Sequence, residues 1–254
     1  MVRPKKYLGQ HFLTDRNIAH RIVDALPFHP DRAVVEIGPG TGVLTGFLIG
    51  KKHDLWLVEI DSESVVHLHQ HFPVLAGRIL ETDFLKIDPH RWTQPLSVIG
   101  NFPYNISSQI FFKILESRQH VLSVVSMIQK EVADRLAAPP GSKTYGILSV
   151  LLQAWYDIEY LFKVPPGVFH PPPAVMSAVI RLTRNSRQSM PCNEQSFVKV
   201  VKQAFNTRRK TLRNCLKSLP FLPGTLEQPL FDQRAEQLGV DEFVWITQQL
   251  VAEA

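Results

Sequence analysis

Residues 100–107 read GNFPYNIS, so an asparagine, two aromatic rings and a proline follow directly on the short apolar run PLSVIG. The run reads as a buried strand ending at Gly100, and a turn is expected there. Pro103 disfavours the helical region at Phe102 and keeps that peptide extended, so the Phe102 carbonyl points at a fixed spot. The side-chain oxygen of Asn101 supplies a second acceptor, and Tyr104 supplies a ring. Two converging acceptors match a planar –NH₂ donor, and a base stacked on a ring gains about 1–3 kcal/mol. The exocyclic amine of such a base is a poor nucleophile, because its lone pair is delocalised into the ring. Acceptors drawing on both of its hydrogens favour a pyramidal nitrogen with the lone pair aimed outward. Given an activated donor alongside, in-line attack needs positioning more than acid–base catalysis. The plain alternative is an ordinary proline turn with its Asn in a left-handed position. The chemical reading therefore needs a donor site next door.

VVEIGPGTGVLT (34–45) offers one. Gly38, Gly40 and Gly42 let the chain turn tightly and approach a ligand, where a helix opens after a strand. A lone glycine-rich turn is weak evidence, and Val43 departs from the nicotinamide fingerprint. Glu36, two residues before Gly38, completes an acid-x-G-x-G-x-G spelling that resembles the first motif of S-adenosylmethionine-dependent methyltransferases. Glu59 ends the next apolar run, LWLVEID, where a carboxylate can accept the hydroxyls of a ribose. Asp83, in ETDFL after a third run, is placed to accept an adenine amine. Either acid could instead cap a helix. Acids at successive strand ends beside a glycine turn argue for a nucleoside site.

Those residues need a scaffold. Runs rich in Val, Ile and Leu at 33–38, 54–60, 77–83, 95–100 and 121–128 alternate with segments of helical spacing such as SSQIFFKILESR. That alternation predicts an α/β, doubly wound parallel sheet. Ligands bind such sheets beyond the carboxyl ends of the strands where strand order reverses, which brings Asn101 near the glycine loop. Two further strands, 157–164 and 174–182, joined by the proline-rich PPGVFHPPP, predict an antiparallel hairpin at the sheet edge. After the polar linker TRNSRQSMPCN the pattern turns helical. The expected division is a methyltransferase domain over 1–184 and a helical domain over 185–254.

The 254 residues are 44% hydrophobic, enough for one large domain and a small one. No apolar stretch reaches the roughly 20 residues of a membrane helix, and the basic N-terminus lacks the apolar core of a secretory signal. Cys192 and Cys215 alone make no disulfide framework, which suits a reducing cytoplasm. His67, His69 and His71 lie in a helical stretch where only His67 and His71 share a face, so no metal is expected. The net charge of +5 is unevenly spread. No acid occurs from Gln195 to Leu226, where Lys199, Lys202, Arg208, Arg209, Lys210, Arg213 and Lys217 cluster. Such a run is either a solvated face or a phosphate-binding surface.

Taken together, GQHFL (9–13), EIGPGTGVLT (36–45), EID (59–61), GNFPYNIS (100–107), QKEVADRL (129–136), TYGILSVLLQ (144–153), VFHPPPAVMSAVI (168–180) and FNTRRKTLRNCL (205–216) resemble the family of small-subunit rRNA adenine dimethyltransferases, along nearly the whole chain. The resemblance implies a seven-stranded class I methyltransferase sheet, six strands parallel and one antiparallel at the edge, with a small all-helical C-terminal domain. It implies S-adenosyl-L-methionine as cofactor, held by His11, Leu13, Gly38, Gly40, Glu59, Asp83 and Asn101. Many members have Asn at the position of His11 and Leu at that of Phe102; an imidazole still hydrogen-bonds, and the Phe102 carbonyl is the useful group. The target base would meet Asn101, Phe102, Pro103 and Tyr104, with Phe169 stacking on its other face. Lys143, Arg208, Arg209, Lys210 and Arg213 would contact RNA phosphates, helped by Arg3, Lys5 and Lys6 near the mouth. The implied substrate is a pair of adjacent adenosines in the hairpin loop near the 3′ end of 16S rRNA, on a pre-assembled small subunit, acted on by a cytoplasmic monomer without membrane or metal. A base outside a regular duplex is cheap to flip. Competing readings are a 23S rRNA adenine methyltransferase of the antibiotic-resistance type and a small-subunit assembly factor that methylates incidentally.

Overall fold

The computed structural model describes residues 2–51 and 53–251. Its strands are β1 (Phe12–Leu13), β2 (Ala33–Ile37), β3 (Asp54–Glu59), β4 (Ile79–Glu81), β5 (Leu96–Asn101), β6 (Val121–Gln129), β7 (Tyr156–Val164), β8 (Phe169–His170) and β9 (Ser177–Arg184). Its α-helices are α1 (Arg16–Asp24), α2 (Thr45–Leu48), α3 (Ser62–His71), α4 (Ser107–Glu116), α5 (Lys130–Leu136), α6 (Ile147–Gln153), α7 (Glu194–Asn206), α8 (Leu212–Leu216) and α9 (Val240–Gln248).

Seven strands form one sheet in the order β4-β3-β2-β5-β6-β9-β7. β2, AVVEI, is buried along its whole length, as befits a continuous apolar run in the middle of a parallel sheet. From β2 the chain winds outward through β3 and β4, then returns to place β5 on the other side, so strand order reverses between β2 and β5. All pairings among β4, β3, β2, β5 and β6 are parallel, and β9 runs antiparallel to β6. The expected hairpin closes this end of the sheet. Within it the antiparallel strand β9 takes the inner place and β7 is the edge. Spacing along the chain cannot tell which arm of a hairpin reaches the sheet first; β9 wins with the almost uninterrupted apolar run SAVIRL. A separate two-stranded sheet, missed because each strand has two residues, pairs β1 with β8.

The chain divides into two compact units, Met1–Ala133 with Asp157–Arg184, and Asp134–Tyr156 with Asn185–Ala254. Residues 134–156 fall in the second unit, whereas the expected division groups them with 1–184. ILSVLLQ lies between two strands in the chain, so sequence order alone groups it with the sheet. In the structure Leu148, Val150, Leu151 and Leu152 are buried, and α6 packs with α7 and α9. The apolar faces of α7 (Phe197, Val200, Val201) and α9 (Phe243, Val244, Ile246) supply the rest of that core.

Candidate active site

At the carboxyl ends of β2 to β5 the first unit encloses a cavity of about 270 Å³. Gly38 and Gly40 line it from the loop after β2, Glu59 from the end of β3, Asp83 from the loop after β4, and Asn101 to Ile106 from the turn after β5. The residues selected on chemical grounds in the sequence thus converge on one site at the switch point. Gly40 shows why glycine is required: its φ is +55°, and a Cβ there would come within 2.7 Å of the Phe12 ring. A Cβ on Gly100 would lie 2.5 Å from the Ile37 carbonyl, so only glycine lets the end of β5 press against the glycine loop.

Glu59 is buried, 4% exposed. One carboxylate oxygen accepts the Gly40 N–H at 3.0 Å, and the other accepts the N–H groups of Ile60 and Asp61, both at 2.9 Å. Burial pushes its carboxyl above the ordinary value, against the pull of those three donors. The next helix is capped by Asp61, whose side chain accepts from Glu63 N–H. Glu59 is therefore spared capping and braces the glycine loop instead. Of about four lone-pair sites, three are engaged, which leaves room to accept a ribose hydroxyl. Asp83 lines the cavity, and its side chain also caps a short turn through the Leu85 N–H at 3.0 Å.

Asn101 is held by its amide nitrogen, which donates to the His11 carbonyl at 2.8 Å. Its side-chain oxygen is buried and has no hydrogen-bond partner. A buried acceptor left unpaired costs about 1–3 kcal/mol, so a donor belonging to a bound molecule is the natural partner. The Phe102 side chain is fully buried against Phe111, ring centroids 5.7 Å apart, and its backbone N–H donates to the Met127 carbonyl at 3.0 Å. That anchoring fixes the carbonyl of the same residue, whatever side chain is present. Tyr104 is stacked on the His11 ring at 5.4 Å, and its hydroxyl pairs with that of Ser177. His11 Nδ1 donates to the Pro171 carbonyl at 2.8 Å.

Two of the expected residues fall outside the cavity lining. Leu13 and Phe169, each 4% exposed, pair with each other across β1 and β8 and pack into the main core. Neither lines the cavity. Each is the apolar position of a two-residue strand, and burial outcompetes ligand contact for such side chains. Phe12 and Gln10, not singled out in the sequence, line the cavity in their stead. The signal was present in the required smallness of Gly40, which makes room for a ring.

The basic run is also more divided than its composition suggests. The Arg208 guanidinium donates to the carbonyls of Lys143 and, at 2.9 Å, Tyr145, and its Nε lies 3.5 Å from Glu236. Arg213 pairs with Asp232 at 2.7 Å. Both arginines are occupied within their own unit, since the following acidic segment folds back onto them. Arg209, Lys210 and Lys143 are exposed. Lys210 joins Lys199 and Lys202 in a groove with Gln203, Asn214 and Ser218, and no acid lines it. Lys5 is likewise committed, to Asp61 and Glu63.

Glu36, under the glycine loop and 1% exposed, accepts from the Thr45 hydroxyl at 2.7 Å. Burial pushes its carboxyl up to about 8, with the charge of Glu59 adding to the effect. In the unfolded chain such a carboxyl titrates near about 4.3, so the unfolded state releases its proton first as pH rises. Stability is therefore lost between roughly pH 4 and 8. A Glu36→Gln variant, which keeps an acceptor for Thr45, is expected to melt on the order of 10 °C above the parent at pH 9, with the gap closing near pH 4. Calorimetric scans showing a gap independent of pH would contradict this.

Among the described residues no helix is long and apolar enough to cross a membrane. His67 and His71 stack on each other at 3.9 Å, and no three metal-binding side chains cluster among the described residues.

Comparison with known proteins identifies the family. A family profile described as ribosomal RNA adenine dimethylase matches residues 1–242. A protein of Parabacteroides distasonis named ribosomal RNA small subunit methyltransferase A is 56% identical over 251 residues, covering 97% of this chain and 94% of that one. A dimethyladenosine transferase from Plasmodium falciparum shares the fold with a TM-score of 0.79 at 22% identity, over 93% of this chain and 96% of that one. The 23S rRNA methyltransferase ErmE does so with a TM-score of 0.72 at 24% identity, over 94% and 100%. With a cavity built from the glycine loop, Glu59, Asp83 and the NFPY turn, the chain belongs to the ribosomal RNA adenine dimethylase family.

Proposed function

We propose that the protein transfers methyl groups from S-adenosyl-L-methionine to the N6 amines of two adjacent adenosines in the 3′-terminal hairpin loop of 16S rRNA, two methyl groups to each. The unpaired, buried side-chain oxygen of Asn101 carries this reading. It is an acceptor without a donor, beside a loop and two acids suited to a nucleoside. The small subunit is the favoured substrate because the relatives at 51–56% identity are named for it.

The residues fit the cofactor. Glu59 would accept from the ribose, Asp83 would take the cofactor's adenine amine, and the glycine loop would meet the rest of the molecule. When bound, the cofactor supplies an activated methyl group on a sulfonium. The chain supplies aim. For the first methyl group, Asn101 Oδ1 and the Phe102 carbonyl would accept the two N6 hydrogens of the flipped adenine, aiming the nitrogen lone pair at the methyl carbon; for the second, the one remaining hydrogen would engage one of these acceptors. The amine nitrogen would bond to the methyl carbon as the carbon–sulfur bond broke, the electron pair staying with the neutral thioether. The methylated amine is then acidic and loses a proton to water. Tyr104, buttressed by His11, offers a ring face to the base. Phe169 stacks on the opposite face only if β8 shifts.

The exposed lysines of the second unit suit an RNA backbone. Changing Arg209 and Lys210 to alanine is expected to weaken RNA binding and to lower the slope of log affinity against log salt by about 1–2. Changing Arg208 is expected chiefly to lower the melting temperature, because its guanidinium braces the Lys143 to Tyr145 segment. A salt slope unaltered in the Arg209/Lys210 double variant would make that run a solvated face.

Primer extension on both large rRNAs from a strain lacking the gene tests the substrate. Methylation stops lost from 16S rRNA alone support the proposal; stops lost from 23S rRNA support the resistance-type reading. Cytoplasmic action as a monomer follows as part of the same proposal.

A further inference from the structure

The N-terminal arm, residues 5–13, forms one wall of the cavity through Leu8, Gly9, Gln10, His11 and Phe12. Two of its tethers are described above: the His11 carbonyl to Asn101, and β1 to β8. Another is different in kind. Asp61 has no exposed side-chain surface, yet it receives two side chains from the arm. One carboxylate oxygen takes the Lys5 ammonium, and the other takes the Gln10 amide at 3.2 Å and the Ser64 hydroxyl at 3.0 Å. Lys5 reaches Glu63 as well, at 3.3 Å. Gln10 closes the loop on its own side by accepting the Lys5 backbone N–H at 2.8 Å. The Asp61 backbone N–H meanwhile donates to Glu59. The same tight turn after β3 thus holds the acid that faces the cofactor's ribose and the acid that grips the arm.

We propose that Asp61 is a positioning residue that latches the N-terminal arm across the cofactor side of the cavity, with Lys5 and Gln10 as its partners, so that arm order and cofactor affinity are coupled. The proposal rests on reading the cavity as the cofactor site. Capping of α3 alone would need only the contact with the Glu63 N–H, at 3.3 Å. It would not call for a lysine and a glutamine from residues more than fifty positions earlier in the chain. A charged hydrogen bond taken out of water is strong enough to order a short segment, and ordering paid before binding raises affinity for the ligand the segment covers.

Lys5→Met breaks the latch from the arm and leaves the cap intact. Asp61→Asn breaks it from the other side and keeps a good capping residue. Both variants and their combination are tested in the full chain. Amide hydrogen exchange of residues 8–13, without cofactor, is expected to quicken roughly tenfold in each single variant. The cofactor KM is expected to rise by about the same factor, more than kcat falls, and the combined variant to be no worse than Asp61→Asn alone. Unchanged exchange in both single variants, with only a lower melting temperature for Asp61→Asn, would reduce Asp61 to a helix cap and overturn the proposal. Faster exchange with an unmoved KM would overturn the coupling. If Glu59→Ala also leaves cofactor affinity unmoved, it is the reading of the cavity that has failed; if Glu59→Ala weakens it, only the latch has.

Discussion

An Asn101→Ala variant is expected to lose about 10²–10³-fold in methyl transfer while staying folded. The loss has two sources that the structure separates. Removing Oδ1 takes away an acceptor that has no partner inside the protein, so the folded state loses nothing there. The amine it would have held is then free to stay planar, with its lone pair in the ring. Removing the amide nitrogen releases the His11 carbonyl and loosens the arm, which costs stability of about 1 kcal/mol. Asn101→Asp refines the test, since it keeps acceptors but replaces the donor with a carboxylate against a carbonyl. It is expected to lose arm order and cofactor affinity before it loses the ability to take an amine. Single-turnover rates on small subunits from an unmethylated strain, with a melting curve for each variant, measure both effects. If Asn101→Ala turned over at the parental rate, positioning by this turn would not be the basis of catalysis. Normal subunit maturation in cells carrying the inactive variant would favour the assembly-factor reading.

Glu59→Ala is expected to weaken cofactor binding about 100-fold or more, with RNA affinity unchanged within a factor of about two. Three backbone N–H groups converge on this carboxylate, from Gly40, Ile60 and Asp61. Alanine leaves all three without a partner beneath the cavity and removes the carboxylate proposed to accept the ribose. Glu59→Gln is the sharper variant. Its amide offers one oxygen where two are used, so either the Gly40 N–H or the Ile60 and Asp61 pair faces an –NH₂ group. It is expected to fall near Glu59→Ala in affinity, because bracing the loop and meeting the ribose are one function of the same carboxylate. Calorimetric titration with cofactor gives the answer directly, and parental affinity in either variant would contradict the assignment.

Much of this site could be read before any coordinates. Strand ends are legible because apolar runs stop at polar residues, and parallel winding brings the ends of β2, β3, β4 and β5 to one edge of the sheet. Glu59 and Asn101 occupy such ends and Asp83 lies just beyond one, so their convergence follows from topology alone. The residues misjudged are those whose fate depends on contacts remote in the chain. Phe169 and Leu13 find each other across more than 150 positions, through a pairing of two residues per strand, too short to show periodicity. Arg208 and Arg213 read as free cations because their partners, the Lys143 and Tyr145 carbonyls and Asp232, lie in other segments. The segment 134–156 is grouped with the sheet by its position between strands, which the sequence shows, whereas the apolar faces of α7 and α9 that bury it are assembled only in space. Local chemistry was legible; the competition among distant partners was not.

The central claim is that the turn at Asn101 presents an adenine amine to the methyl donor. Mass spectrometry of rRNA fragments, after incubating the protein with isotope-labelled cofactor and small subunits from an unmethylated strain, tests it most directly. Two labelled methyl groups on each of two neighbouring adenosines near the 3′ end of 16S rRNA are expected with the parent protein, and none with Asn101→Ala. Label on another base, label in the large subunit's RNA, or undiminished label from the variant would contradict it.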